Sequence, residues 1–113
     1  MPKIEASKDV QEKVFEAIEV AKTTGKLAKG SNEVTKVIEK GKAKLVAIAK
    51  DVTPPEIVMH IPLLCDEKGL KCYEVATKEE LGAAAGLELG TSAVAVVNEG
   101  EAKKLVESLA KSE

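Results

Sequence analysis

Leu45–Ala49, with the sequence Leu-Val-Ala-Ile-Ala, is the stretch that decides the fold class of this chain. All five side chains are apolar, and no polar residue interrupts the run. A strand that faces solvent on one side alternates apolar and polar residues, whereas a strand covered on both faces is continuously apolar. We therefore expect a sheet with helices on both of its faces.

Strand patterns and helix patterns alternate on either side of this run. Residues 71–75 alternate as a strand does, residues 93–97 form a second apolar run, and residues 26–29 predict a brief edge strand. Helical patterns lie between them, at residues 7–24, 32–39, 53–68, 77–85 and 100–111. This alternation predicts an α/β fold, in which residues 1–113 form a single domain, a three-layer α/β/α sandwich with a small mixed central sheet.

Several helix boundaries carry specific signals. Ser7 is a plausible N-cap, and Thr77 with Glu80 three residues later has the pattern of a capping box. Residues 53–56, Thr-Pro-Pro-Glu, predict a helix start with prolines in the first turn. Pro62 falls inside the helix that follows, where its missing amide predicts a kink.

The charge of the chain is unevenly distributed. The net charge is −2, and all 17 basic residues are Lys. Residues 22–50 contain eight Lys and two Glu, a net charge of +6, whereas the rest of the chain contains nine Lys and seventeen acidic residues, a net charge of −8. A basic segment on an acidic body is typical of a protein that binds a polyanion, although a solvated lysine-rich helix face has the same composition.

Other classes of function find little support. The two cysteines, Cys65 and Cys72, lie in neither a CxxC nor a metal-binding spacing, so we expect reduced, buried thiols. His60 is the single histidine and lies in an apolar segment, which favours a structural role over a catalytic one. There is no Ser-His-Asp set and no phosphate-binding glycine loop. We expect no enzymatic activity, no metal and no cofactor.

Composition also bears on location and on how the chain could bind a nucleic acid. No stretch approaches the roughly 18 apolar residues of a membrane span, and residues 1–5 lack the apolar core of a signal peptide. We expect a cytoplasmic protein that contacts no membrane. Phe15 and Tyr73 are the only aromatic residues, so we do not expect a sheet or barrel with base-stacking aromatics.

The most informative candidate site is the segment of residues 30–36, Gly-Ser-Asn-Glu-Val-Thr-Lys. Gly30 allows a tight turn, Ser31 or Asn32 can cap the helix that follows, and the free amides of a helix start favour a phosphate. Asn32, Lys36 and Lys40 repeat every four residues and therefore share one exposed stripe. Two interpretations stay open, an RNA-binding helix end and an ordinary capped helix.

Glu33 separates these interpretations most sharply. A carboxylate placed against RNA is repelled by the phosphates, and it is useful there only if it accepts hydrogen bonds from a base edge. Asn32 can donate and accept at a base edge, and Lys36 can reach a purine acceptor or a phosphate. The alternative is that Glu33 only completes the first turn beside the helix dipole.

A second candidate surface is the apolar loop of residues 87–91, Leu-Glu-Leu-Gly-Thr. It lies between a predicted helix and a predicted strand, where loops are usually exposed. Leu87 and Leu89 could cover an unstacked nucleotide, because single-stranded bases are recognised on such surfaces. The alternative is that both leucines complete the core.

Taken together, these motifs resemble the archaeal large-subunit ribosomal protein seven-Ae family. The resemblance covers essentially the whole chain, and its motifs agree in order and spacing. They are residues 30–36, 39–41, 43–49, 51–52, 55–58, 60, 62–65 and 81–86.

The resemblance implies an α/β/α sandwich that binds kink-turns and kink-loops, which are bent RNA elements with tandem sheared G·A pairs. It implies that Asn32, Glu33 and Lys36 read the G·A pairs and that Lys29 and Lys40 lie near the backbone or adjacent bases. It also implies that the apolar loop covers the protruding nucleotide. The RNA-binding residues expected on this basis are Lys29, Gly30, Ser31, Asn32, Glu33, Thr35, Lys36, Lys40, Leu87, Glu88, Leu89, Gly90 and Thr91.

The partners implied are ribosomal RNA in the large subunit, box C/D and H/ACA guide RNA, ribonuclease P RNA, which acts in tRNA processing, and the other proteins of those ribonucleoproteins. We expect a monomer when free. The loop departs from the family, which usually has Val-Pro or Arg-Pro there, whereas Leu89-Gly90 should loosen the backbone of this chain. Two rivals are a paralogous ribosomal protein of thirty-e type and a small thiol-dependent enzyme using His60, Cys65 or Cys72.

Overall fold

The computed structural model describes residues 3–5, 7–53 and 56–112. Strands and helices alternate along the chain, as the sequence predicts. The strands are β1 (Lys3–Glu5), β2 (Lys26–Lys29), β3 (Leu45–Ala49), β4 (Cys72–Val75) and β5 (Ala93–Asn98). The helices are α1 (Lys8–Thr24), α2 (Ser31–Glu39), α3 (Glu56–Glu67), α4 (Lys78–Ala84) and α5 (Lys103–Ser112).

The sheet is small and mixed, which confirms the predicted fold class. Its strand order is β1-β4-β3-β5-β2, in which β3 pairs parallel with β4 and antiparallel with β5. The predicted edge strand, β2, pairs antiparallel with β5. The opposite edge is β1, which pairs parallel with β4 and was not predicted, because three residues are too few to show a pattern.

Helices cover both faces of this sheet. α1 packs against α4 and α5, whereas α2 packs against α3. The central strand β3 is buried along its whole length, as its apolar sequence predicts. α2 also packs on β2 and β5, so its position is set by the strands that precede it and lie beside it.

Most of the predicted helix boundaries are confirmed. The Ser7 hydroxyl accepts a hydrogen bond from the Val10 amide at the start of α1. The Thr77 hydroxyl accepts from the Glu80 amide and donates to the Glu80 carboxylate, so Thr77 caps α4 and pairs with Glu80. Pro62 lies inside α3, and the kink it should cause stays a prediction. The two prolines at 54 and 55 lie outside the described residues.

The last helix differs from the prediction of one continuous helix over residues 100–111. A 3₁₀ turn at Gly100–Ala102 precedes α5. Gly100 has a φ of 56°, and a side chain there would clash with the Thr24 carbonyl at the end of α1. The chain therefore leaves β5 through a turn that packs closely against α1.

A buried hydroxyl joins β4 to α5. The side chain of Tyr73 is fully buried, and its hydroxyl donates to the Leu109 carbonyl at 2.9 Å. Replacing Tyr73 with Phe keeps the ring but leaves this carbonyl without that donor, so we expect the free energy of unfolding to fall by about 1–2 kcal/mol. Urea denaturation of the two proteins measures the difference, and an unchanged midpoint would contradict the contribution of this bond.

Within the described residues, each helix is either too short or too polar to cross a lipid bilayer. The same residues contain no group of three or more His, Cys, Asp or Glu side chains that could hold a metal ion.

Candidate nucleic-acid interface

Both surfaces singled out in the sequence lie at one end of the strands of the sheet. The carboxyl ends of β2 and β3 flank the amino end of β5, with Lys29 opposite Val94 and Ile48 opposite Ala93. α2 begins directly after β2, and the apolar loop ends directly before β5. The topology therefore brings the two segments together although more than fifty positions separate them in the chain.

Gly30 makes the turn from β2 into α2. Its φ of 89° belongs to a region that L side chains rarely adopt, and its amide donates to the Ala93 carbonyl at 2.8 Å. Gly30 itself is the N-cap of α2, and no side chain caps this helix. The expectation that Ser31 or Asn32 caps it is therefore wrong, because the tertiary bond to Ala93 starts the helix earlier.

The start of α2 consequently carries unused hydrogen-bonding groups. Gly30 supplies the first helical acceptor, to which the Val34 amide donates at 3.0 Å. The amides of Ser31, Asn32 and Glu33 have no hydrogen-bond acceptor within the described part of the chain. Three free amides at the positive end of the helix dipole form a surface that favours anions and hydrogen-bond acceptors.

The side chains on α2 separate into a buried side and an exposed side. Val34 and Ile38 are fully buried, whereas Asn32 and Glu33 are exposed. Lys29, Lys36 and Lys40 are exposed as well. The predicted exposed stripe of Asn32, Lys36 and Lys40 is therefore present.

Glu33 and Lys36 form the exposed ion pair of this surface. Their side-chain atoms lie 4.0 Å apart, and the two side chains are 63% and 64% exposed. A pair this exposed contributes less than about 1 kcal/mol to stability. Both groups can therefore exchange this contact for a ligand at little cost.

Thr35 links α2 to α3. Its hydroxyl donates to the Ser31 carbonyl at 2.7 Å, and its oxygen lies 2.8 Å from His60 Nε2. Because the hydroxyl has one proton, His60 must donate through Nε2–H. His60 thus has a structural contact, as predicted, but it is exposed and lies beside the middle of α2 rather than in the core.

The apolar loop exposes one of its two leucines almost completely. Leu89 is 81% exposed, whereas Leu87 is only partly exposed. Leu89 therefore does not complete the core. Its side chain provides an apolar surface at the same end of the strands as the start of α2.

This loop is attached to its surroundings by two backbone hydrogen bonds and one side-chain hydrogen bond. The Thr91 amide donates to the Lys78 carbonyl at 3.0 Å, and the Leu87 amide donates to the Gly82 carbonyl at 2.9 Å. The buried Thr91 hydroxyl donates to the Ala93 carbonyl at 3.3 Å. That carbonyl also accepts from Gly30, so one acceptor in β5 joins the loop to the start of α2.

Gly82 and Lys78 position the loop but were not recognised in the sequence as parts of the site. A side chain at Gly82 would clash with the Leu89 carbonyl and come within 3.0 Å of Gly90 Cα. The Lys78 amide donates to the Asp51 carboxylate at 2.8 Å, which ties α4 to the carboxyl end of β3. The only sequence signal for this role is a glycine within a predicted helix. Such a glycine does not show which part of the chain packs against it.

Gly90 has a packing role that the sequence did not indicate. A Cβ atom there would lie 2.9 Å from Lys78 Cγ and 3.2 Å from the Lys78 backbone. The glycine therefore allows the loop to lie directly against the start of α4. The sequence predicts that Gly90 loosens the loop backbone. The close contact with Lys78 is a second reason for a glycine at this position.

Comparison with known proteins agrees with this geometry. Residues 12–106 match the model of the Ribosomal protein L7Ae/L30e/S12e/Gadd45 family. The chain belongs to this family. It is also similar to a solved structure of a 15.5kD RNA binding protein from Giardia lamblia, with a TM-score of 0.91 and 27% sequence identity over 96% of this chain and 90% of that one.

These comparisons favour a binding protein over the thiol-dependent enzyme, because the family includes ribosomal proteins and the solved structure is that of an RNA binding protein. The two thiols agree with that conclusion. Cys65 and Cys72 are free and fully buried, as the sequence predicts. A hydrogen bond with Cys72 lowers the pKa of Cys65 despite the opposing effect of burial, but a catalytic thiolate must also be accessible to its substrate.

Proposed function

We propose that this chain binds RNA and recognises kink-turn and kink-loop elements. The observation that carries the proposal is the first turn of α2, where the exposed side chains of Asn32 and Glu33 accompany three free amides and Lys36 pairs with Glu33. None of these side chains caps the helix, so all three are available to a ligand. A surface with an acceptor, a donor and a cation suits base edges better than phosphates alone.

The carboxylate and the lysine have distinct roles in this proposal. Glu33 accepts hydrogen bonds from guanine N–H groups of the sheared G·A pairs, and Asn32 contacts the adjacent base edge. Lys36 offsets the negative charge of Glu33 and binds a purine acceptor or a phosphate. Lys29 and Lys40 contact the RNA backbone, to which they contribute point charges.

Leu89 provides the second contact. A kinked RNA extrudes one nucleotide, and an exposed leucine can cover the face of its base. The shared bond acceptor at Ala93 holds this loop and the start of α2 in one arrangement. The protein therefore stabilises the RNA by binding its bent conformation selectively, because only bent RNA can contact Leu89 and the start of α2 at the same time.

The particles that contain such RNA follow from the resemblance to the archaeal seven-Ae proteins. We include in the proposal the large ribosomal subunit, box C/D and H/ACA guide particles, and ribonuclease P, where the chain would act as a cytoplasmic, noncatalytic scaffold beside other proteins. A monomer when free fits this role, because a single chain carries both contact surfaces.

A change in the RNA tests the proposed function directly. We expect that replacing the tandem G·A pairs with Watson–Crick pairs weakens binding by roughly 10²-fold or more, because the base contacts and the bend are lost together. Isothermal titration at fixed salt measures the affinity of both RNAs. Equal affinity for the two would show that the protein does not recognise the kink.

The paralogous thirty-e type of protein remains a second candidate, because the family that the chain belongs to includes both. A kink-loop replaces one stem by a loop. The seven-Ae assignment predicts binding to a kink-loop as well as to a standard kink-turn, and a failure to bind the kink-loop favours the rival.

A further inference from the structure

The basic segment of residues 22–50 extends beyond the surface proposed to read the kink. Lys26, Lys42 and Lys44 lie at the other end of the strands, near the amino ends of β2 and β3 and the carboxyl end of β5. Lys26 begins β2 and is paired with Asn98 at the end of β5, and the Lys44 amide donates to the Val96 carbonyl at 2.7 Å. These three lysines, here called the distal lysines, have no role in the contacts described above.

The distal lysines line a shallow depression of about 550 Å³. All three side chains are exposed, and within the described ranges none of them forms an ion pair. Glu99 is the one acidic residue in the lining, so the depression has a net charge of +2. The full lining is Lys26, Gly41, Lys42, Lys44, Val97, Asn98 and Glu99.

Two further lysines connect this depression with the start of α2. α2 has nine residues, so its ends are about 13 Å apart. Lys36 lies in its last turn, and Lys40 directly follows the helix. Lysines therefore occur from the last turn of α2 to the depression, with Glu33 and Glu39 as the acidic residues of the helix.

We propose that the distal lysines bind backbone phosphates of the RNA duplex that continues from the kinked element. The proposal rests on the proposed function, and it adds a second, sequence-independent contact to it. An RNA stem that extends past the far end of α2 brings further phosphates to the depression. The chain then binds a kink within a long duplex more tightly than the same kink with short stems.

The chemistry of the depression favours duplex phosphates over other ligands. Its charged groups are flexible ammonium ions, which attract phosphates without fixing an orientation. The Asn98 side-chain oxygen already accepts a hydrogen bond from the Gly100 amide at 3.0 Å. There is no aromatic side chain in the lining on which an unpaired base could stack.

Two RNAs and two variants test the proposal. One RNA is a kink-turn with short stems, and the other has the stem on each side extended by about one helical turn. K26Q/K42Q/K44Q removes the distal lysines. K8Q/K13Q/K104Q removes three exposed lysines of α1 and α5 that lie outside the depression, with the same change in charge.

We expect the wild-type protein and the control variant to bind the extended RNA about tenfold more tightly than the short one at moderate salt. K26Q/K42Q/K44Q should bind the short RNA within about twofold of the control variant and should lose the gain from extension. The slope of log K against log salt for the extended RNA should become shallower by about 2.7, because three phosphate contacts are lost and each contributes about 0.9.

Two results would overturn the proposal. One is that both triple variants bind the extended RNA with the same affinity. The other is that the affinity of K26Q/K42Q/K44Q falls by the same factor for both RNAs. Circular dichroism establishes that each variant is folded. If the wild-type protein binds the short kink-turn no better than a plain duplex of equal length, the proposed function itself fails, which is a distinguishable outcome.

Discussion

Replacing Glu33 with Ala should weaken binding to a kink-turn by roughly 10- to 100-fold while leaving binding to a plain RNA duplex unchanged or slightly tighter. A carboxylate that accepts two hydrogen bonds from a base edge contributes about 1–3 kcal/mol to discrimination, and tenfold corresponds to about 1.4 kcal/mol. On a duplex without exposed G·A edges, the same carboxylate only repels phosphates. A loss of affinity for the kink-turn without a loss for the duplex distinguishes base recognition from general electrostatics.

Glu39 provides a matched control on the same helix. It is exposed and acidic and lies at the far end of α2, so Glu39→Ala removes the same charge away from the base-reading end. We expect this variant to bind both RNAs as well as the wild type or slightly better. Glu33→Gln, which keeps one acceptor oxygen, should fall between the wild type and Glu33→Ala. Equal losses for Glu33→Ala on kink-turn and duplex, measured by gel shift, would contradict base readout.

Features that depend on local sequence could be predicted well. The start of α1 at Ser7 and the capping box at Thr77 each depend on residues within one helical turn. The apolar sequence of β3 indicates directly that both faces of the sheet are covered. From these elements the α/β/α architecture followed.

Features that depend on distant parts of the chain could not be predicted in the same way. The prediction that Ser31 or Asn32 caps α2 was wrong. Both are good capping residues by their local sequence, but the start of the helix depends on the hydrogen bond from the Gly30 amide to the Ala93 carbonyl. Thr35 and His60 are 25 positions apart, and neither has a pattern that indicates their contact. The role of Gly82 likewise depends on where a later loop returns.

The error at α2 matters for the candidate site. If Asn32 capped the helix, its side-chain oxygen would be used inside the protein and unavailable to RNA. Because Gly30 is the cap, Asn32 and Glu33 lie in the first turn with exposed side chains and free amides. The local pattern alone does not show which residue caps the helix, and the tertiary contact shows that it is Gly30.

A methyl group at Gly82 should have the second large effect, and this effect should reach the RNA through the loop. In Gly82→Ala the new Cβ would clash with the Leu89 carbonyl and crowd Gly90 Cα, which are backbone atoms and cannot be displaced alone. The loop must therefore shift, and Leu89 moves with it. We expect a loss of about 1–3 kcal/mol in the free energy of unfolding from overpacking, and roughly 5- to 30-fold weaker binding to a kink-turn.

The extruded nucleotide provides the measurement that attributes this loss to the loop. Removing its base should weaken wild-type binding, because Leu89 then has no base to cover. The same RNA change should have little further effect on Gly82→Ala, so the two changes should be non-additive in a double-mutant cycle. Gly69→Ala is the control, because Gly69 has a φ of 71° and no atom near its missing Cβ. Gly69→Ala should lower the free energy of unfolding while leaving RNA affinity unchanged. Additive effects in the Gly82 cycle would show that the loop does not contact this nucleotide.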